Sequence, residues 1–347
     1  MSTPAHPPRA HPAADVSPGR HGDTGRQDRP QGLRFAYGTN GLTDLRLTDA
    51  VRLLADLGYQ GVAVTLDHMH LDPCAPDLLP RAARLGRDLD RIGLGAAVET
   101  GARYVLDPTA KHGPSLLDPD PDARARRVRL LLDAVAVAAE LRAGAVHCFS
   151  GITPPGTSEE AAWDRLTGAL GPVLAAARRA GVPLAVEPEP GMLLDTTAAF
   201  HRLRERLGDP PGLALTLDIG HLRCLESEPI PDLVRAAAPW VAHVQIEDMR
   251  RGVHEHLPFG EGEIDFPPVL AALADTGYDG LVSVELPRHS HAGPALARSS
   301  IAFLRRATAT AQAARTPRPT DLATGLAGTR RPAAAVHPAA RRDAAAC

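Results

Sequence analysis

The chain has 347 residues, a formal net charge of −3 and 44% hydrophobic residues, enough apolar material for one large core or two modest ones. A charge this close to neutral speaks against nucleic-acid or anionic-membrane binding, which draws on a basic excess. No uninterrupted run of about 18 apolar residues occurs, so no segment is expected to span a bilayer.

The two ends differ from the middle. Residues 1–32 are rich in Pro, His, Arg and Gly, and residues 308–347 in Ala, Pro, Arg and Thr. Neither stretch carries enough apolar surface to offset the entropy of ordering, so both are expected to be disordered tails. Their histidines (His6, His11, His21 and His337) are expected to be solvated. The N-terminus lacks the apolar stretch of a secretory signal. The four cysteines, Cys74, Cys148, Cys224 and Cys347, form no CxxC pair. They read as free thiols in a reducing cytoplasm, with Cys148 and Cys224 packing as small core groups.

Between the tails one pattern repeats: a short apolar run, a loop, then an amphipathic helix ending near glycine. Strand 35–37 opens the series and helix 47–57 follows, stopped by Gly58. Strand 61–66 precedes helix 78–92, and strand 94–98 leads through a long Pro/Gly/Asp loop to helix 122–141. Strand 145–149 precedes helix 158–180, whose Ser158 suits a helix start. Strand 183–186 precedes helix 195–207, with Asp195 expected as its N-cap. Strand 213–217 pairs with helix 230–238, strand 241–246 with helix 266–274, and strand 281–284 with helix 294–305. Eight strand–helix units with apolar strands imply a parallel sheet covered by helices. Residues 33–307 match the ~250 residues of a closed (β/α)8 TIM barrel. An open doubly wound sheet fits less well, because YGTNGLTD after the first strand lacks the GxGxxG spacing.

Active sites of such barrels lie at the C-terminal ends of the strands. Four successive strands place an acidic or imidazole group there: Glu187 in LAVEPEPG, Asp218 in LTLDIGH, His243 in VAHVQIED and Glu285 in VSVELPR. Converging carboxylates repel in a low dielectric, and a divalent ion removes that cost. Three carboxylates with one imidazole suit Mn2+, Mg2+ or Co2+, with Zn2+ also compatible.

These segments, with the block HLPFGEGEIDFPPVLAALADTGYDGLVSVEL, resemble the xylose-isomerase-like TIM barrels of sugar phosphate isomerases and epimerases, from about Phe35 to Leu304. The resemblance implies that Glu187, Asp218, His243 and Glu285 hold a divalent metal, that His221 contacts substrate or serves as an extra metal-binding histidine, and that His256 is a polar, substrate-binding site residue. It implies an isomerase or epimerase acting on a small sugar, sugar phosphate or polyol. A metal-stabilised enediolate would form as one of Glu187 and Glu285 removes a proton and the other returns it.

The first half is less typical of the family. Glu99 and His147 end the third and fourth strands and read as polar, substrate-binding wall residues, and His68 and His70 follow the second strand. Arg103, Lys111, Arg250 and Arg251 are placed to meet a phosphate or carboxylate. Three other readings stand beside the isomerase: a metal-dependent dehydratase of a cyclic polyol or dehydroshikimate-like substrate, a DNA-repair endonuclease sharing the DxxH and terminal Glu, and a non-catalytic metabolite-binding barrel. The slightly acidic charge and the lack of basic, aromatic intrusion loops argue against the endonuclease. The expected partner is therefore a small carbohydrate-like molecule, not nucleic acid or membrane, and a homo-oligomer is compatible with this reading.

Overall fold

The computed structural model describes residues 32–315, and the rest of both predicted tails, with their four histidines and Cys347, lies outside the described residues. Eight parallel strands close into a barrel: β1 (Arg34–Gly38), β2 (Gly61–Thr65), β3 (Gly95–Glu99), β4 (Val146–Phe149), β5 (Leu184–Glu187), β6 (Leu213–Asp218), β7 (Val241–Ile246) and β10 (Leu281–Val284). β1 pairs with both β2 and β10, which closes the ring and leaves no open edge among these strands. A two-stranded antiparallel hairpin, β8 (Asp248–Arg250) and β9 (Val253–Leu257), stands after β7.

The helices are α1 (Leu47–Leu57), α2 (Leu78–Ile92), α3 (Pro121–Leu141), α4 (Glu159–Ala180), α5 (Thr197–Leu207), α6 (Ile219–Leu225), α7 (Ile230–Ala237), α8 (Phe266–Asp275) and α9 (Gly293–Arg315). Sequence signals start and stop them as physical chemistry requires. Ser158 caps α4 by accepting from the Ala161 N–H, and α1 stops at Gly58, whose φ of 78° a side chain would resist. The cap of α5 is Thr196, which accepts from Ala199 N at 3.3 Å, and not the expected Asp195. α9 continues to Arg315, ten residues past its expected end, because Ala307 and Ala311 keep an apolar stripe against the core. The barrel's last helix therefore overlaps the start of the segment expected to be a disordered tail.

Strand alternation sorts side chains into two environments. Outward positions such as Val62, Val64, Val98, Val186, Leu215, Leu217, Val244, Ile246, Val282 and Val284 are buried with the helices in one continuous core. Inward positions are small low in the barrel: Ala36, Ala63 and Ala97 pack with Leu281, and Ala145 with Ala185 and Ala214. Further up, inward positions become polar. Cys148 and Cys224 are buried free thiols, and Cys74 is exposed. No helix among the described residues is long and apolar enough to cross a membrane.

Candidate metal centre and substrate pocket

The site is built on β5, β6, β7, β10 and the β8–β9 hairpin. Glu187 ends β5, and its Oε2 accepts from His147 Nε2 at 2.5 Å. His147 Nδ1 in turn accepts from the Thr100 backbone N–H at 3.3 Å, which assigns the ring proton to Nε2. Burial alone would raise the Glu187 pKa, but His147, hydrogen-bonded to it, and the nearby His221 hold it well below the usual carboxylate range. Its buried Oε1 makes no well-aligned hydrogen bond, but His221 Nδ1 stands 3.2 Å from it.

Asp218 ends β6 and caps α6: its Oδ1 accepts from His221 N at 2.8 Å. Its Oδ2 is buried and unpartnered, and burial followed by the like charge of Glu187 raises its pKa. The DxxH spacing thus places a capping aspartate and an imidazole in one turn. His221 Nδ1 lies 3.1 Å from the Pro188 carbonyl and 3.2 Å from Glu187 Oε1, both acceptors only, so Nδ1 donates. Burial opposes protonation of the ring, but Asp218, Glu189 and Glu187 raise its pKa well above the ordinary imidazole range.

β7 corrects the expected depth of its histidine. His243 is level with Thr216, whereas Asp218 is level with Gln245. His243 therefore lies one inward layer too low to join the carboxylates, and its Nε2 instead meets Glu99 Oε1 at 3.2 Å. Gln245 Nε2 donates to that same oxygen at 3.2 Å, leaving Gln245 Oε1 buried and unpartnered. Two residues further on the same face comes Glu247, fully buried with neither carboxylate oxygen partnered. Burial, then Asp218 and Glu285, push the Glu247 pKa well up. Asp248, by contrast, points into the loop after the hairpin, accepting from the backbone N–H groups of Met249, Gly260 and Ile264.

Glu285 follows β10, and its Oε1 accepts from Asn40 Nδ2 at 2.9 Å. Burial and then the charges of Glu99, Glu187 and Asp218 raise its pKa well above the usual range. On β9, period-two alternation turns His254 and His256 to one face, toward His221. Burial and the facing His221 hold His256 well below the ordinary imidazole range and His254 down to about 4.

A cavity of about 390 Å³ opens at the C-terminal end of the barrel, a volume suited to a small ligand. Glu187, Glu285, His147, His256, His254 and Glu189 line it, and Arg103, Lys111 and Arg288 stand at its exposed rim. Glu99 does not line it, contrary to its expected substrate role. Its carboxylate is consumed below the cavity by Thr65, His243 and Gln245. Arg250 and Arg251 also turn away, donating to the carbonyls of Glu261 and Glu226. His68 lines the cavity, whereas His70 is a buried structural residue bonded to Leu45 O.

Among the described residues, three overlapping groups of side chains have ligand atoms within 4.8 Å of one another: Glu187, Asp218 and His221; Asp218, Glu247, His256 and Glu285; and His221, His254 and His256. Crowded carboxylates with oxygens that no proton donor satisfies are costly in a protein interior and fit a divalent cation. Gln245, Glu247, Glu189 and His254 were not singled out from sequence. The alternation His243-Val-Gln245-Ile-Glu247 carried the signal for two of them, since a strand period of two puts all three polar groups on one face.

A closed parallel barrel with an acidic C-terminal mouth defines a class of enzyme scaffold, and comparison with known proteins narrows it. The chain belongs to the xylose isomerase-like TIM barrel family, whose model matches residues 51–307. It is similar to the L-ribulose-5-phosphate 3-epimerase UlaE of Salmonella paratyphi C, 26% identical over 250 residues, 71% of this chain and 84% of the relative. It is 29% identical over 140 residues to the inosose dehydratase of Lacticaseibacillus casei, a match covering 35% of this chain and under half (46%) of that protein. A solved L-ribulose 3-epimerase superposes with a TM-score of 0.65 at 22% identity, covering 86% of this chain and all of that one, which shows the shared fold.

Proposed function

We propose that the protein is a divalent-metal-dependent epimerase or isomerase of a small sugar-like ketone or aldehyde. The observation that carries this reading is the pair Glu187 and Glu285. They line one cavity from β5 and β10, separated around the barrel by β6 and β7, which supply the unpartnered Asp218, Gln245 and Glu247 oxygens between them.

Glu187, Asp218 and Glu285, with Gln245 Oε1 in the place expected of His243, would hold the cation, Mn2+, Mg2+ or Co2+ by the oxygen character of the set. Once bound, it would supply a Lewis acid that polarises the substrate carbonyl and steadies the negative charge that develops on its oxygen. Glu187, kept ionised by His147, accepts the proton from the carbon beside the carbonyl. Glu285, steadied by Asn40, delivers a proton back to that carbon or its neighbour. His147 lines the cavity and positions Glu187, and His256 meets substrate from the hairpin. His221 orients His254 from behind.

The test is incubation of the metal-loaded chain in deuterated water with a panel of ketoses and ketose phosphates that includes L-ribulose 5-phosphate. Deuterium is expected at the carbon beside the carbonyl of an unchanged carbon skeleton. Glu187→Gln and Glu285→Gln should each abolish turnover while the circular dichroism spectrum is retained. Full activity in either variant would overturn the assignment. The similarity to inosose dehydratase supports a second reading, elimination of water by the same two carboxylates, and a product lighter by one water would select it.

A further inference from the structure

The barrel carries a second cavity at its other end. About 440 Å³ in volume, it opens between the N-terminal ends of the strands and shares no lining residue with the pocket above. We infer that it binds a short aliphatic hydroxycarboxylate, with the carboxylate at one end and the hydroxyl at the other. The inference stands apart from the epimerase reading, and either can fail alone.

The interior of such a barrel is ordinarily filled by layers of bulky branched side chains. Here Gly95, Ala97 and Ala145 line the lower interior beside Leu281 and leave it open. The volume falls in the range of small-molecule sites, and the wall suits an aliphatic stem.

Two polar groups on this wall stand at one level. Arg34, which opens β1, is level with Leu281 on β10. One residue before the Val282–Val244 pair, Leu281 falls level with His243 on β7. The guanidinium of Arg34 lies across the lower mouth as far as the start of β3, where a Cβ on Gly95 would stand 2.7 Å from Nη2.

Among the described residues Arg34 has no carboxylate partner, and its hydrogen bond to the Asp279 main-chain carbonyl is long at 3.5 Å. Arg142, also at the mouth, is already paired with Asp90. The donor fork of Arg34 is therefore open to a carboxylate, the planar partner that a guanidinium binds bidentately. His243 is buried and gives Nε2 to Glu99, so Nδ1 is the ring nitrogen left for the cavity. With the proton on Nε2, Nδ1 accepts, and a ligand hydroxyl is the donor that fits.

A water-filled void would account for the space alone. It would not account for a guanidinium that lacks a carboxylate partner, drawn across the mouth at the level of a buried imidazole.

The experiment keeps the full chain in chelator, so that no ion in the upper pocket captures the probe. 4-Hydroxybutyrate is titrated by saturation-transfer NMR against 1,4-butanediol, a chain of the same length without the charge. The hydroxyacid should bind about tenfold more tightly than the diol, the size of a hydrogen bond to a charged group. Arg34→Gln should remove that preference. Ala97→Val, which keeps the charge and fills part of the cavity, should weaken both probes. Arg288→Gln, at the upper rim, should bind as the parent does. A parent chain that binds neither probe, or both equally, would overturn the site, as would unchanged binding in Ala97→Val. A preference kept in Arg34→Gln or lost in Arg288→Gln would also overturn it, the latter by placing the anion in the upper pocket.

Discussion

Gly220 and Glu247 occupy the same small volume from two elements: a Cβ built on Gly220 would stand 2.1 Å from Glu247 Oε1 and 3.2 Å from Asp218 Oδ1. The glycine of DIGH is therefore required by the carboxylate it faces, since Gly220 does not need a left-handed backbone. Gly220→Ala should displace Glu247, lower stability by about 1–3 kcal/mol and weaken metal binding. Thermal unfolding with and without Mn2+ reads both effects; an unchanged Mn2+-dependent rise in Tm would refute the coupling.

Adjacent acids should separate cleanly by role. Glu247→Gln removes a charge from the unpartnered cluster, so metal affinity should fall while the metal-free protein holds or gains stability. Asp248→Ala leaves three backbone N–H groups of the 248–264 segment without their carboxylate acceptor. It should cost about 2–4 kcal/mol of stability. Urea unfolding of both metal-free variants distinguishes them, and equal losses would contradict the division.

His243 and Gln245 offer a direct check on depth in the barrel. Gln245→Ala removes an unpartnered oxygen level with Asp218 and should weaken Mn2+ binding by about tenfold or more, an effect of the size seen when a metal's supporting groups are lost. His243→Asn should leave one Mn2+ bound per chain. Calorimetric titration compares them, and loss of the ion in the His243 variant would restore the histidine as a ligand.

His112 supplies a pH dependence away from the carboxylates. Burial, then Lys111, Arg127 and Arg103, push its pKa down to about 4 from an ordinary 6.5. Between those values the unfolded chain binds a proton that the folded protein refuses. The contribution is thus complete above pH 6.5 and is lost as pH falls toward 4. Because the ring is partly exposed, screening reduces the effect to on the order of 1–2 kcal/mol. Unfolding free energies at pH 4.5 and 7 should differ less in His112→Gln than in the parent chain, and an equal difference would sink the prediction.

What the sequence determined by itself was periodicity and its punctuation. The apolar runs and glycine stops placed α1, α2, β7 and β10 at their observed bounds, because helix and strand repeats are local properties of a few neighbouring residues. The acids ending β5, β6 and β10 were legible for the same reason: a strand's last inward residue faces the barrel mouth. The β8–β9 hairpin and α6 were not read, being too short to show a period.

Tertiary structure alone decided which polar groups meet. Depth inside the barrel depends on the stagger between neighbouring strands, which set His243 beside Thr216 and raised Gln245 to Asp218. The same closure turned Glu99 inward to bond His243 and Gln245, and folded the hairpin back so that His254 and His256 reached His221. Register and loop return are relations between distant segments, and no spacing along one strand encodes them.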